Sequence, residues 1–431
     1  MTSPSSEVPA AEAGVPRPRL SREDRLTEIE RAASRRLAVF PGAFTAQAAS
    51  AVCVDEAIDP SAEGDRWLGV LSELADKRAL ERLIRFDGEE RYRQSDALRR
   101  SELRHLRRAG EWDAVHERLV SWLMELAEPY ASPVGPAHGS REKVGRNRDA
   151  FLAGIQWALA RGDNRASLLA TSLAQSWWDS GRTAPARDLL AAVTSSFDQP
   201  HAWSGVVAGQ AAWFGFHTGD YDQALVFAEQ CAQTERPDRT VRSGQALALA
   251  GWCHLERGEV IAGQVRCAQS REVLESLNQP DQRMALLPDV IQSLILLGDL
   301  DEAALLLRRD WAETRAVGHP ASARKSFLTG QIALSRSDPD RAGVAFTDAL
   351  RHNLRRPSSA WLLTGLALTA SMRGDHRQTL LWAAAARARC LVMGVRPGQW
   401  WRGQFAIAVA RAQSVLSPEY QSAARTAGEE I

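Results

Sequence analysis

The sequence predicts an all-α chain in which a small helical domain with a single β wing precedes a superhelix of helical hairpins. Three observations carry this. First, a turn signal of Gly or Ser recurs at Gly181, Gly219, Gly258, Gly298, Ser337 and Gly374, with spacings of 38, 39, 40, 39 and 37 residues. Second, from about Arg146 onward apolar residues keep helical spacing and no alternating strand pattern appears. Third, one Asp-Gly pair, Asp87-Gly88, stands between apolar segments well before the repeats, as a hairpin requires.

Residues 1–25 are rich in Pro, Ala, Ser and Glu with few large apolar groups, and are expected to be a disordered tail. A first domain is expected over 26–128. Leu26, Ile29, Ala33, Leu37 and Phe40 recur at helical spacing until Pro41-Gly42 breaks the pattern. Thr45 is placed to cap a second helix running to Cys53. A third helix, Trp67 to Asp76, carries Trp67, Leu68, Leu71, Leu74 and Ala75 on one face. The hairpin follows, with Leu80, Leu83, Ile84 and Phe86 before its turn and Tyr92 after it. Three helices and a hairpin outline a small winged-helix-like domain. Two trailing helices are expected at Asp96–Ala109 and Glu111–Glu128. A Pro- and Gly-rich linker is expected at 129–145, the repeat domain at 146–417 and a C-terminal tail at 418–431.

The repeats follow from simple physics. A Gly ends the first helix of each pair by taking a left-handed conformation. The acid that follows it in five of the six turns favours the start of the next helix. Five residues after each turn sits a small side chain: Ala186, Ala224, Gly263, Ala303, Ala342 or Thr379. Seven before it sits Ala174, Ala212, Gly251, Ile291, Gly330 or Ala367, small in five of six. Small residues at matching places let helices approach and neighbouring pairs stack. Trp400-Trp401 are expected in a helix covering the last repeat's apolar face.

Composition bounds the function. The 431 residues carry 53 basic and 53 acidic side chains, a net charge of zero, which argues against a non-specific polyanion binder. No apolar run reaches the ~18 residues of a membrane span. The start, Met1–Pro18, has no apolar core of a secretory signal, so a cytoplasmic chain is expected. The five cysteines are odd in number and contain no C-x-x-C pair, which speaks for buried thiols rather than disulfides or zinc. Arg outnumbers Lys 50 to 3, a habit of GC-rich bacterial genomes. Fourteen Trp against four Tyr is less ordinary and makes the Trp positions worth following.

Two resemblances sharpen this outline. Gly298-Asp299-Leu300-Asp301-Glu302-Ala303 and Gly219-Asp220-Tyr221-Asp222-Gln223-Ala224 resemble tetratricopeptide-like repeats of the longer kind. Arg36-Leu37-Ala38-Val39-Phe40-Pro41-Gly42-Ala43-Phe44-Thr45, with Ala48-Ala49 and Ala51-Val52-Cys53, resembles a segment of large bacterial signal-transduction ATPases, including the LuxR-type regulators. Leu74-Ala75-Asp76-Lys77-Arg78-Ala79-Leu80 resembles that family's L-V-D-K-S-L motif, and Arg91-Tyr92-Arg93 through Ala109-Gly110-Glu111 its next one. Asn147-Arg148, Ile155-Gln156-Trp157-Ala158 and Gly162-Asp163 resemble the entry to that family's repeats. The resemblance implies a winged helix followed by a sensor arm. The chain is expected to lack the family's ATPase module, because no G-x-x-x-x-G-K-[ST] occurs, and to lack the LuxR-type DNA-binding domain. No nucleotide hydrolysis and no cofactor are expected.

No metal or nucleophile motif can be read from the spacing of the nine histidines or from any G-x-S-x-G. His254 reads as a hydrogen-bonded core residue, and Asp289 as a carboxylate that only the superhelix can bring to a site. The Trp residues are positional. Six before the turn stand Gln175, Trp213, Trp252, Gln292, Gln331 and Leu368; three before it stand Trp178 and Phe216; thirteen before the last turn stands Trp361. In tetratricopeptide-like repeats these places face the concave channel, so the resemblance implies a ladder of aromatics and amides along a groove. The candidate ligand-binding residues are Trp178, Trp213, Phe216, Trp252, Gln292, Gln331 and Trp361. Such a wall suits a small apolar ligand or a peptide segment; the alternative is plain packing between helices. The expected function is a non-catalytic ligand- or peptide-binding regulatory protein, with a possible protein partner. One alternative is a cofactor-independent biosynthetic enzyme built in the groove. Another is a DNA-bound regulator using Arg99, Arg100, Arg104, His105, Arg107 and Arg108; the zero net charge favours a solvated face for that helix.

Overall fold

The computed structural model describes residues 26–55, 65–85, 88–132, 140–178, 180–235, 239–313, 319–351 and 357–431. The tail at 1–25, Asp87 of the hairpin turn and linker residues 133–139 lie outside them. The chain divides into two compact units, one up to Arg118 and one from Leu119.

The first unit holds α1 (Glu28–Leu37), α2 (Ala46–Cys53), α3 (Asp65–Asp76), β1 (Glu81–Ile84), β2 (Glu90–Arg93), α4 (Asp96–Arg108) and the start of α5 (Trp112–Ala127). Thr27 begins α1 with a capping box: its hydroxyl accepts from the Glu30 N–H at 3.3 Å, and the Glu30 carboxylate accepts from the Thr27 N–H at 2.7 Å. Thr45 caps α2 by accepting from the Ala48 N–H at 3.1 Å. The two strands pair antiparallel with Glu81 opposite Arg93, and Phe44 bridges to Tyr92 through both backbone bonds. Leu37, Phe44, Trp67, Leu71, Leu74 and Leu106 form the buried core. Ile84, expected among the apolar hairpin residues, is 74% exposed at the strand end.

Arg36 ties this unit together. It donates to the Cys53 carbonyl at 2.9 Å, Asp55 at 2.8 Å and Glu111 at 2.8 Å, while Arg35 reaches Glu111 at 2.7 Å. Burial alone would raise the Glu111 carboxyl, but the two guanidiniums hold it down at about 2. Two segments quoted for the family resemblance therefore meet in one ion-pair network.

In the second unit, α6 (Ser140–Arg146) forms inside the stretch expected as linker, because Val144 finds a fully buried place. After α7 (Arg148–Leu159) the helices run in pairs: α8 (Arg165–Trp178) with α9 (Thr183–Thr194), α10 (Ser204–Thr218) with α11 (Tyr221–Thr234), and α12 (Val241–Glu256) with α13 (Val260–Ser276). Then come α14 (Pro280–Leu297) with α15 (Leu300–Glu313), α16 (His319–Ser335) with α17 (Pro339–Arg351), and α18 (Ser359–Met372) with α19 (His376–Met393). The described residues of this unit thus form an all-α helical-repeat superhelix. All six turn residues have positive φ, including the non-glycine Ser337 at 59°. Asp220, Asp299, Asp338 and Asp375 cap the following helices by accepting from backbone N–H groups at 3.3, 3.4, 3.1 and 3.0 Å.

The small positions are close approaches. Gly251 on α12 faces Gly263 on α13, so that a Cβ on Gly251 would sit 3.1 Å from the Gly263 carbonyl oxygen. The buried Phe346 ring is held between two glycines: a Cβ on Gly330 would lie 2.6 Å from it, and one on Gly365 2.7 Å. Spacing alone did not show a second repeated device. The Arg just before a turn reaches the Asp three residues after the preceding turn, as Arg257–Asp222, Arg336–Asp301 and Arg373–Asp340. These pairs are exposed and contribute little each, roughly 0–1 kcal/mol.

The superhelix then closes on itself. The Thr183 hydroxyl donates to the Met393 carbonyl at 2.7 Å, and the Arg396 N–H donates to the His217 carbonyl at 2.8 Å. The Gln399 N–H donates to the Glu256 carboxylate at 2.6 Å. The loop between α19 and α20 (Gln399–Val415) therefore lies on the turns of the first three pairs. Trp401 packs among Phe327, Phe346 and Trp361. The stretch 418–431, expected as a tail, holds α21 (Pro418–Glu429). Ser417 caps it, and Gly428 lies so close to α19 that a Cβ there would be 2.5 Å from the Leu381 carbonyl oxygen. No described helix is long and apolar enough to cross a membrane.

Candidate functional site

The first helices of successive pairs present one face to a common concavity. Residues three or four apart share a helix face. Thr171, Gln175 and Trp178 on α8, Gln210 and Trp213 on α10, and Gln245, Leu249 and Trp252 on α12 therefore line the same cavity of about 410 Å³. Pro288 and Asp289 of α14 and Arg324 of α16 complete its far side, with Arg242 and Arg141 at its edge.

The lining has three chemical parts. The aromatic part is Trp178 and Trp213, half-buried with centroids 4.2 Å apart in an edge-on arrangement, and the buried Trp252, whose indole N–H donates to the Ser293 hydroxyl at 2.9 Å. In the amide part, Gln175 Nε2 donates to Gln210 Oε1 at 3.0 Å and Gln245 Nε2 to the Ala285 carbonyl at 3.1 Å. These bonds fix the amides while leaving further donor and acceptor capacity on each. The charged part is Arg324 on Asp289 at 2.6 Å and Arg242 on Glu235 at 3.0 Å. Burial raises the Asp289 carboxyl above the usual carboxylate range, and Arg324 only partly offsets this.

His217 stands behind the aromatic wall. Its ring lies 4.4 Å from Trp213, 5.4 Å from Trp178, 5.3 Å from Phe216 and 5.1 Å from Trp361. Its Nδ1 has no hydrogen-bond partner among the described residues. Desolvation, with Arg324 adding to it, pushes the imidazole down to about 3.

Of the seven candidate residues, Trp178, Trp213 and Trp252 meet in this cavity. Phe216 packs against Trp252 and Tyr221, 5.7 and 5.5 Å between centroids. Gln292 is half-buried outside the lining. Gln331 is buried, with Oε1 unpartnered among the described residues. Trp361 belongs to the core that includes Trp401 and is flanked by Trp178. The inner column is thus open in its first half and covered where the closure packs. The sequence reading missed Gln210, Gln245, Arg242 and Arg324. Reading the Trp361 place, thirteen before the turn, across the other repeats gives Gln245 and Arg324, so a signal for those two was present.

Elsewhere, His254 Nδ1 bonds Glu259 at 2.6 Å. On α4, Arg99 turns inward to the Ala38 carbonyl at 2.9 Å and Arg107 stacks over Trp112 at 4.1 Å, while Arg100, Arg104 and Arg108 are exposed. Among the described residues no group of three His, Cys, Asp or Glu is placed to hold a metal.

No protein-family model matches the sequence, and a comparison with curated proteins finds no match. Among solved structures the chain is similar to a signal transduction ATPase with numerous domains from Pyrococcus horikoshii that has a tetratricopeptide repeat sensor. The TM-score is 0.55 at 13% identity, covering 93% of this chain and 54% of that one. The chain spans about half the length of that protein. It is also similar to a Rap protein complexed with competence and sporulation factor, with a TM-score of 0.50 at 8% identity, covering 72% of this chain and 85% of that one. At these identities the likeness is one of helical-repeat fold.

Proposed function

We propose that the chain is a non-catalytic sensor or scaffold arm whose concave cavity receives an extended peptide segment. The observation that carries this is the convergence of Trp178, Trp213 and Trp252 with Gln175, Gln210 and Gln245 on one cavity. Aromatic faces take apolar side chains, and amides with spare donors and acceptors suit a peptide backbone. The Rap neighbour, solved with a bound factor, has a fold of this kind. The described lining offers a single carboxylate, Asp289, already engaged by Arg324, which favours binding over acid–base catalysis. We also read the first unit as a winged-helix-like regulatory module, supported by its order of three helices and a hairpin with the Phe44–Tyr92 bridge.

The test is a panel of displayed random short peptides selected on the protein and re-measured on Trp213→Ala. Enriched peptides should bind the wild type and lose tenfold or more on the variant, since one buried aromatic contact is worth about 2 kcal/mol. Circular dichroism of the variant controls for folding. An absence of enrichment, or peptides indifferent to Trp213, would refute the groove reading.

A further inference from the structure

A second cavity, of about 510 Å³, opens on the other side of the closure, between α18, α19 and α20. Its floor is apolar: Ala386, Cys390, Val395, Trp401 and Phe405. Its polar rim is one-sided. Three arginines, Arg387, Arg396 and Arg402, are among the lining residues and no acidic residue is. Arg402 approaches Glu256 at 3.7 Å, Arg387 lies 5.6 Å over the Phe405 ring, and Arg396 is exposed. Leu391, also lining, is 85% exposed, so the mouth presents apolar surface to water. The volume falls in the range of small-molecule sites, roughly 300–1,000 Å³.

The geometry points to a binding site for a small anionic amphiphile, a free acyl-chain carboxylate whose chain lies against Trp401 and Phe405 and whose head meets Arg387 and Arg396. An apolar body recovers the exposed floor and mouth. A carboxylate satisfies guanidiniums that no acid of the lining engages, and a neutral ligand of the same length would not. A half-open hollow of about 510 Å³ has the size of one small molecule, which favours a single free molecule over a membrane surface. The site does not depend on the peptide groove. It abuts the closure, where Thr218 lines the cavity and the neighbouring His217 carbonyl holds Arg396.

The chain supplies its own reporter. Cys390 lines the cavity and is half-buried, whereas Cys53, Cys231, Cys253 and Cys267 are buried. Burial pushes the Cys390 thiol up to about 11, so it stays a neutral wall atom near neutral pH and reacts slowly. The experiment follows thiol modification of the native protein by a maleimide, with decanoate or decanol added, and with Cys390→Ser to assign the signal. Decanoate should slow modification about tenfold at a concentration where decanol has little effect, and Arg387→Gln with Arg396→Gln should remove that advantage. Both arginines are exposed, so the double variant should fold. Equal protection by decanol and decanoate, protection unchanged in the double variant, or no protection at all would each overturn the proposal.

Discussion

His217 offers the sharpest test of the packing around the site. The imidazole is enclosed by Trp178, Trp213, Phe216 and Trp361 and held near 3 in the folded chain, against 6.5 when free. Above 6.5 both states are neutral and the residue adds no pH dependence. Below it the unfolded imidazole takes a proton that the folded one refuses, so stability falls as the pH drops from 6.5 toward 3. At about pH 5 the unfolded ring is almost fully protonated, and the loss is about 2 kcal/mol. That figure barely changes if the folded value lies anywhere a unit or more below 5. His217→Phe keeps an aromatic ring in the box and removes the titration. Urea unfolding of both chains at about pH 7.5 and about pH 5 should show the wild type losing about 2 kcal/mol more than the variant. The other histidines and the carboxylates titrate in both chains and cancel. An equal loss in the two chains would refute the desolvated, neutral imidazole.

The repeat geometry gives two further predictions. Gly298 has φ of 85° with open space around its missing Cβ, so Gly298→Ala should cost about 1 kcal/mol from backbone strain alone, read by denaturant midpoint. Ser337→Gly at the matching turn should be neutral or mildly stabilising, and a marked loss there would contradict the turn argument. Gly330→Ala and Gly365→Ala each drive a methyl into the Phe346 ring and should cost about 1–3 kcal/mol by overpacking. Wild-type midpoints for both would show that the ring has room.

Several elements were legible because local rules produced them. The turn residues repeat since each must reverse a helix within one residue, and the four aspartates after them cap the next helix through their own backbone neighbours, whereas Glu259 turns to His254 and Arg257 instead. Even Ser337, which carries no glycine signal, was placed by the period alone and does take the left-handed conformation. Trp213 and Trp252 reach one cavity because equal positions on stacked helices share a face, and Trp178 joins them from a place three residues further along that face. Arg242 stands sixteen before its turn, a place where only Arg165 among the other repeats carries the same type and none of the candidate residues lies, so nothing singled it out.

What the sequence determined by itself was therefore the periodic part: where helices begin and end, which faces stack, and which side of the stack carries the tryptophans. The tertiary structure alone decided how far that side stays open. The loop from Gly394 to Gln399 has no periodicity, and its bonds to Thr183 and Glu256 join residues 211 and 143 positions apart. Local preferences hold no information about such contacts, yet they lie at the seam where Trp361 is drawn into the core with Trp401 and Trp178 remains on the open wall.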